Sequence, residues 1–516
     1  MKQKTSTAIP RYDVVVVGAG MGGLGSAVTL SRLGYKVCVV EQHYVPGGYY
    51  HSFKRRGFVF DAAVEYIGSC GEGGAAHRLF KALGVASRLQ FCEMDPDGFD
   101  VLLFPSLKVS VKKNIQEYQV SLLHEFPAER VAIEKYFELV NTIWTELHSA
   151  RTSSYLWEER MYPPECPMTR QWADKTLQEL FDSIAAPQKL QAVLAGQWGD
   201  YGLPPKQVST LVHIATIQHY HGGAYYPHGG VQTIPNALVE VLRGQSGEIQ
   251  YRSRVAGIEV RPRSWKRVQF SNGQAVECQA VIINADVKHA LELIRNLEDV
   301  DQEVVQQIHR NRPSVSSFQV YLGVTLDLGR AGMTSANYWS SPTEDINACY
   351  EELFGEELPS RLPYLLTSTT LKDPYGFLSP PGTHIVKLVA LMPFSHFQRW
   401  ANTPLGRRGR DYRGFKSQIA DMLIRQAEEL LPGLSRSIVL KEIGTPLTNV
   451  SYTLTSEGAI YGSARTPEQF GSGGIRPALA ASGIYLVGAS TFYHGVVGSL
   501  LSGYQVGLKV AKECLN

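Results

Sequence analysis

Six residues, Gly18-Ala19-Gly20-Met21-Gly22-Gly23, form a G-x-G-x-x-G run, and a single acid, Glu41, follows one strand later. The first glycine permits a tight turn, the second lets backbone approach a pyrophosphate, and the third lets a helix pack against a strand. Glu41 stands at the spacing of a carboxylate that binds a ribose. A glutamate there, rather than an arginine, argues against a 2′-phosphate. Such glycines by themselves can mark nothing more than a turn, so the flanking elements decide. Asp13–Val17 is a Val-rich apolar run that reads as a strand buried on both faces. Lys36–Val40 reads as a second strand with Glu41 at its end. The helix between them aims its free N–H groups and positive dipole end at the phosphates. Together these predict a dinucleotide site.

Further candidates follow along the chain. Pro46-Gly47-Gly48 is either a turn before a hairpin or a loop lying over a cofactor. Phe53–Arg56 and Phe58–Asp61 read as short strands around Gly57. Glu65 sits among apolar residues in Val64-Glu65-Tyr66-Ile67, so it is either paired with a cation or raised in pKa. His219 and His221 are expected on one face of a strand. Two histidines with no carboxylate at ligand spacing do not make a metal site, and none is expected. Gly483–Gly488 reads as a buried strand and Ala489–Tyr493 as a turn. A helix then opens at Gly495-Val496-Val497-Gly498-Ser499 and reaches about Glu513. Its Gly495, Gly498, Ser502, Gly503 and Gly507 would admit a flat ring or another helix.

Composition sets the outer limits. A chain of 516 residues implies two or three structural units. With 44% hydrophobic and 19% charged residues it has the balance of a globular protein. A net charge of +2 gives no case for a nucleic-acid partner. The 7 cysteines include no C-x-x-C pair, which suits a reducing, cytoplasmic compartment. The first residues lack the apolar core of a secretory signal, and no run is long enough to span a membrane. There is no internal repeat.

The opening block, with Glu41-Gln42-His43, Gly47-Gly48, His51-Ser52-Phe53, Phe60-Asp61 and Tyr66-Ile67-Gly68, resembles the flavin-dependent superfamily of phytoene desaturases, carotenoid isomerases and retinol saturases. It is most similar to the retinol saturase branch, which tends to carry a histidine where this chain has Glu65. The Tyr226-Pro227-His228-Gly229-Gly230 and Asn284-Ala285-Asp286 blocks extend the likeness.

The resemblance implies an α/β fold. A discontinuous Rossmann-type FAD-binding domain (1–76, 228–312, 445–516) would join a mixed-sheet substrate domain (77–125, 201–227, 313–444) and a helical cap (126–200). This is the architecture of amine oxidases and phytoene desaturases. FAD would meet Gly18, Gly20, Gly23, Glu41, Gln42, Gly47, Gly48 and the backbone at Val255. Its ring end would meet Ala285, Gly488, Ala489, Gly495, Val496 and Val497. Glu65, His51 and His494 are candidates for moving a proton or polarising the substrate.

The implied reaction is hydride exchange between flavin and a long apolar polyene or isoprenoid-like chain, by saturation, desaturation or isomerisation. An amine-oxidase-like flavoenzyme, or a flavin-free binder of apolar chains, is the alternative. The cluster Tyr155, Leu156, Trp157, Met161 and Tyr162 would suit a peripheral membrane contact if exposed. Arg407, Arg408, Arg410 and Arg413 read as a solvated loop or a lipid-facing basic patch.

Overall fold

The computed structural model describes residues 9–63, 66–152, 165–260, 265–479 and 483–514. Its organising unit is β1 (Arg11–Val17), α1 (Met21–Arg32) and β2 (Val37–Val40). β1 lies inside a sheet whose parallel strands run Glu248–Gln250, β2, β1, Ala275–Ile283 and Ile484–Leu486. An antiparallel pair, Val255–Glu259 and Lys266–Phe270, extends from the first half of the strand Ala275–Ile283. Alternation along β1 divides its valines between two cores. Val14 and Val16 face α1, the helix Thr233–Gly244 and the C-terminal helix Gly495–Cys514. Val15 and Val17 face the helices Val287–Leu293 and Gln302–Arg310. Burial on both sides explains the unbroken Val-Val-Val-Val run.

α1 and the C-terminal helix pack backbone against backbone. A Cβ at Gly503 would overlap the Gly22 carbonyl oxygen, and one at Gly25 would lie 2.6 Å from the Leu500 carbonyl oxygen. Of the small residues in the last helix, Gly503 and Gly507 therefore serve helix contact. Ser502 instead accepts a hydrogen bond from Gly488 N–H at 3.2 Å.

A second seven-stranded sheet carries the other half of the molecule. Its order is Ile438–Gly444, Ser316–Val324, His384–Met392, Tyr364–Thr367, Asn337–Ser340, Asp100–Phe104 and Leu107–Val111. Helices Ile115–Glu125, Arg130–Thr152, Leu177–Ser183 and Thr210–His221 close over it around one large apolar core. Among the described residues no helix is long and apolar enough to cross a membrane.

Two expectations change. His219 and His221 end the helix Thr210–His221 rather than lying on a strand. Residues 210–217 are buried all round, so no apolar–polar alternation betrays the helix. In the arginine cluster Arg407, Arg410 and Arg413 are exposed, but a helix opening at Gly409 replaces the expected loop. Arg408 is buried and donates to the Leu447 carbonyl at 3.2 Å and to Ser451 Oγ at 2.8 Å. The aromatic cluster at 155–162 and Glu65 lie outside the described residues.

Candidate active site

A cavity of about 530 Å³ runs between the two sheets. Gly18, Gly20, Glu41 and Gln42 wall one end, with Val255 and Ala285 beside them. Gly47, Gly48 and His51 come from the following loop, and Gly488, Ala489, His494, Gly495, Val496 and Val497 from the C-terminal block. Both extremities of the chain thus face one space. Gly23 is the expected cofactor residue that lies off this wall. A Cβ there would overlap the Gly18 carbonyl oxygen, so it seats α1 beneath the turn.

The turn is built for close approach by a ligand. α1 has Gly20 at its N-cap, with no side-chain cap and no acid in its first turn, which leaves its N–H groups to an anion. Glu41 is buried, and its two oxygens accept from Ala19 N–H and His43 N–H, each at 2.7 Å. The acid therefore braces the glycine turn at the cavity wall. Gly47 N–H donates to the Ala19 carbonyl at 2.8 Å, laying the second loop along the first. Gln232 holds that loop by donating to the Pro46 carbonyl at 3.0 Å.

Asn284, in the Asn-Ala-Asp block, has a role the pattern did not reveal. A Cβ at Gly20, Gly22 or Gly488 would lie 2.5, 2.6 or 2.8 Å from its amide. Three bare backbone segments thus converge on one side chain at the wall. Asp286 caps the next helix through Lys288 and His289 N–H and accepts from Ser456 Oγ at 2.8 Å.

Both histidine candidates reach the cavity. The His51 ring lies 2.6 Å from the Gly48 carbonyl through Nδ1, so Nδ1 carries the proton and Nε2 accepts. Burial lowers its pKa. His494 is buried, and burial followed by the nearby Arg465 charge holds its pKa well below the usual imidazole range. Both are neutral imidazoles at physiological pH, suited to hydrogen bonding rather than to donating a stored proton.

The acidic groups of the site are elsewhere. The Tyr66 hydroxyl oxygen lies 2.8 Å from Asp200 Oδ2 and 3.0 Å from Asp100 Oδ2, and both Tyr66 and Asp200 line the cavity. Beneath the turn 489–494, Arg465 is fully buried and donates to the carbonyls of Ala489 and Phe492. None of Asp100, Asp200 and Arg465 was singled out in the sequence. Each stands in an ordinary local context, and the fold alone makes it unusual.

Outside the cavity, Cys92, His228 and Asp373 converge, although no metal site was expected. Asp373 is met by His228 at 2.9 Å and Gly229 N–H at 2.7 Å, and burial pushes the Cys92 thiol up to about 11. The trio reads as a hydrogen-bonded His228–Asp373 pair beside a protonated thiol.

An uncapped helix N-terminus after a parallel strand, a buried carboxylate at the end of the next strand and a second helix N-terminus at one cavity mark the class of dinucleotide-dependent oxidoreductases. The comparisons specify which. The chain belongs to the flavin containing amine oxidoreductase family, which matches residues 21–507, and FAD is its cofactor. It is 27% identical over 523 residues to the all-trans-retinol 13,14-reductase of Rattus norvegicus, covering 95% of this chain and 84% of that protein. It is 26% identical over 521 residues to the chloroplastic prolycopene isomerase of Daucus carota, covering 97% and 80%. An oxidoreductase from Methanosarcina mazei shares the fold at TM-score 0.63 and 17% identity, covering 96% of this chain and 99% of that one. A putrescine oxidase triple mutant does so at 0.66 and 13%, covering 97% and 99%.

Proposed function

We propose that this enzyme saturates a carbon–carbon double bond of a long apolar polyene, the reaction named in its retinol reductase relative, with desaturation and cis–trans isomerisation as the alternatives on the same flavin. One observation carries the reading. The cavity that begins at the glycine turn continues to a wall of Trp144, Trp198, Trp339, Leu365, Val389 and Leu391. A polar nucleotide end therefore opens directly onto an apolar channel, as a polyene lying against a flavin requires. In this reading Glu41 meets a ribose, the N-terminus of α1 the pyrophosphate, and the helix opening at Gly495 the pyrimidine edge of the flavin. When bound, flavin supplies hydride donation and acceptance, and the protein supplies orientation, exclusion of water and a proton. The two relatives named above bear retinoid and carotenoid substrates in their names, which favours this reading over an amine substrate.

The test mixes anaerobically reduced enzyme with retinol, carotenoid and unsaturated acyl panels and follows flavin reoxidation. A polyene should reoxidise it and gain two mass units. Reduction of the oxidised enzyme by an amine, with no response to any polyene, overturns the reading.

Such a substrate partitions into lipid, so peripheral membrane attachment is part of the proposal. Tyr375 and Phe377 are 76% and 93% exposed on one loop. That loop abuts the hairpin Ser52–Asp61 through Val59 N–H to the Leu378 carbonyl at 2.8 Å, and the hairpin tip exposes Lys54, Arg55 and Arg56. Aromatic rings beside cations suit an anionic interface. The double variant Tyr375→Ser/Phe377→Ser should float with anionic vesicles several-fold less than the native protein. Equal flotation removes this loop as the contact.

A further inference from the structure

Saturating a double bond consumes one hydride and one proton. The hydride and both electrons are the reduced flavin's contribution, replenished by an external two-electron donor. The proton needs an acid on the cavity wall, and the hydrogen bonds around Tyr66 show where one is held.

Asp100 is fully buried on the second sheet. It accepts from Gln197 Nε2 at 2.6 Å and from Asn337 Nδ2 at 2.9 Å. The orientation of Asn337 is fixed, because its Oδ1 accepts from Lys372 Nζ at 2.6 Å and Thr367 Oγ1 at 2.9 Å. Two amide donors point at Asp100, so Asp100 is the partner equipped to be the anion. Tyr66 has a single hydroxyl proton, yet its oxygen lies within hydrogen-bond distance of both Asp100 and Asp200. If Tyr66 donates to Asp100, the contact with Asp200 exists only if Asp200 brings its own proton. Asp200 differs from Asp100 in being partly open to the cavity.

We infer that Asp200 is the proton donor to the substrate, with Tyr66 and Asp100 as positioning residues that keep it protonated. This rests on the function proposed above. In the step, the Asp200 O–H bond breaks and a C–H bond forms at the alkene carbon that does not receive hydride. Asp200 is left as a carboxylate. The Tyr66 proton can then turn to it from Asp100 until solvent restores the acid.

The surroundings agree. Burial, then the Asp100 charge, pushes the Asp200 carboxyl well above the usual range, while burial raises Asp100 only to about 6. Lys372 lies 5.8 Å from the centre of the Tyr66 ring, and Tyr220 stacks on that ring at 4.1 Å. The Asp200 backbone is tied to the C-terminal block, because the preceding Gly199 carbonyl accepts from Tyr461 at 2.6 Å and the Tyr461 ring meets His494 at 5.0 Å. The acid is thereby anchored to the segment that faces the flavin end.

Two measurements on the FAD-loaded enzyme test this. Infrared spectroscopy at pH 7.5 should show a carboxylic-acid carbonyl band that vanishes in Asp200→Asn. Reoxidation of reduced Asp200→Asn by polyene should slow by roughly 100-fold or more, with flavin absorbance and polyene binding unchanged, and Asp200→Glu should recover part of the rate. If Asp200→Asn loses its flavin, the infrared band and the Asp200→Glu variant decide. Absence of the band from the native enzyme, or an Asp200→Asn rate equal to native, overturns the inference alone. A band present in a native enzyme that no polyene reoxidises overturns the proposed function, and the donor role with it.

Discussion

Gly503→Ala should purify largely without flavin and unfold well below the native protein. One methyl group is added, but its position overlaps the Gly22 carbonyl oxygen and lies 2.8 Å from Ser26 N. Backbone cannot rotate aside as a flexible side chain would, so α1 and the C-terminal helix must separate. Overpacking of this kind costs about 3 kcal/mol. The separation also reaches the site. Adjacent Ser502 accepts from Gly488 N–H and lies 3.1 Å from Thr491 Oγ1, which fixes the turn at the cavity wall. Moving the helix moves that turn away from the glycine loop. The ratio of visible flavin absorbance to protein absorbance and a thermal melt read both effects. Gly244→Ala is the matched control, since nothing lies within 4 Å of a Cβ there. It should be neutral, or stabilising by up to about 1 kcal/mol as a helical Gly-to-Ala change. If Gly503→Ala retains full flavin and the native melting temperature, the two helices are not the clamp described above.

The second large effect concerns redox poise. Arg465 is fully buried, and among the described residues no carboxylate is paired with it. Its donors go to the carbonyls of Ala489, Phe492 and Tyr461. Burial lowers its pKa only to about 10, so it stays charged at neutral pH. An unpaired buried cation next to the C-terminal helix opening makes that end of the cavity electropositive. Reduced flavin carries the added negative charge, so this field favours the reduced form. Arg465→Met should therefore lower the flavin midpoint potential by on the order of 30 mV or more, where 30 mV corresponds to about 1.4 kcal/mol for two electrons. Arg465→Lys keeps the charge and should stay closer to native, although Lys cannot reproduce the forked donors. An unchanged potential in a flavin-loaded Arg465→Met protein would place the charge too far from the ring to act.

The contrast between these two positions shows what a linear pattern conveys. The strand, glycine turn, helix and strand at 11–41 are legible because each part is fixed by neighbours within a few residues. Val-rich burial makes the strands, absent Cβ atoms make the turn, and the acid falls at a strand end. The same local logic locates the C-terminal strand and helix, while FAD itself comes from the family resemblance of these blocks. The helix 210–221 is not legible, because burial on every side removes the periodicity that marks helices. Arg408 looks like part of a solvated cluster until the fold shows it buried against 447–451.

Sequence alone thus determined the cofactor half of this protein, where short-range sterics and backbone hydrogen bonding set the conformation. Only the tertiary structure decided which groups carry charge and protons at the reacting end. Asp100 and Asp200 become a pair because segments a hundred residues apart bring them to one phenol, and Arg465 becomes a buried cation on carbonyls, with no carboxylate partner among the described residues, because a turn closes over it. A pKa or a field depends on what surrounds a group in space, and those surroundings come from segments far apart in the chain.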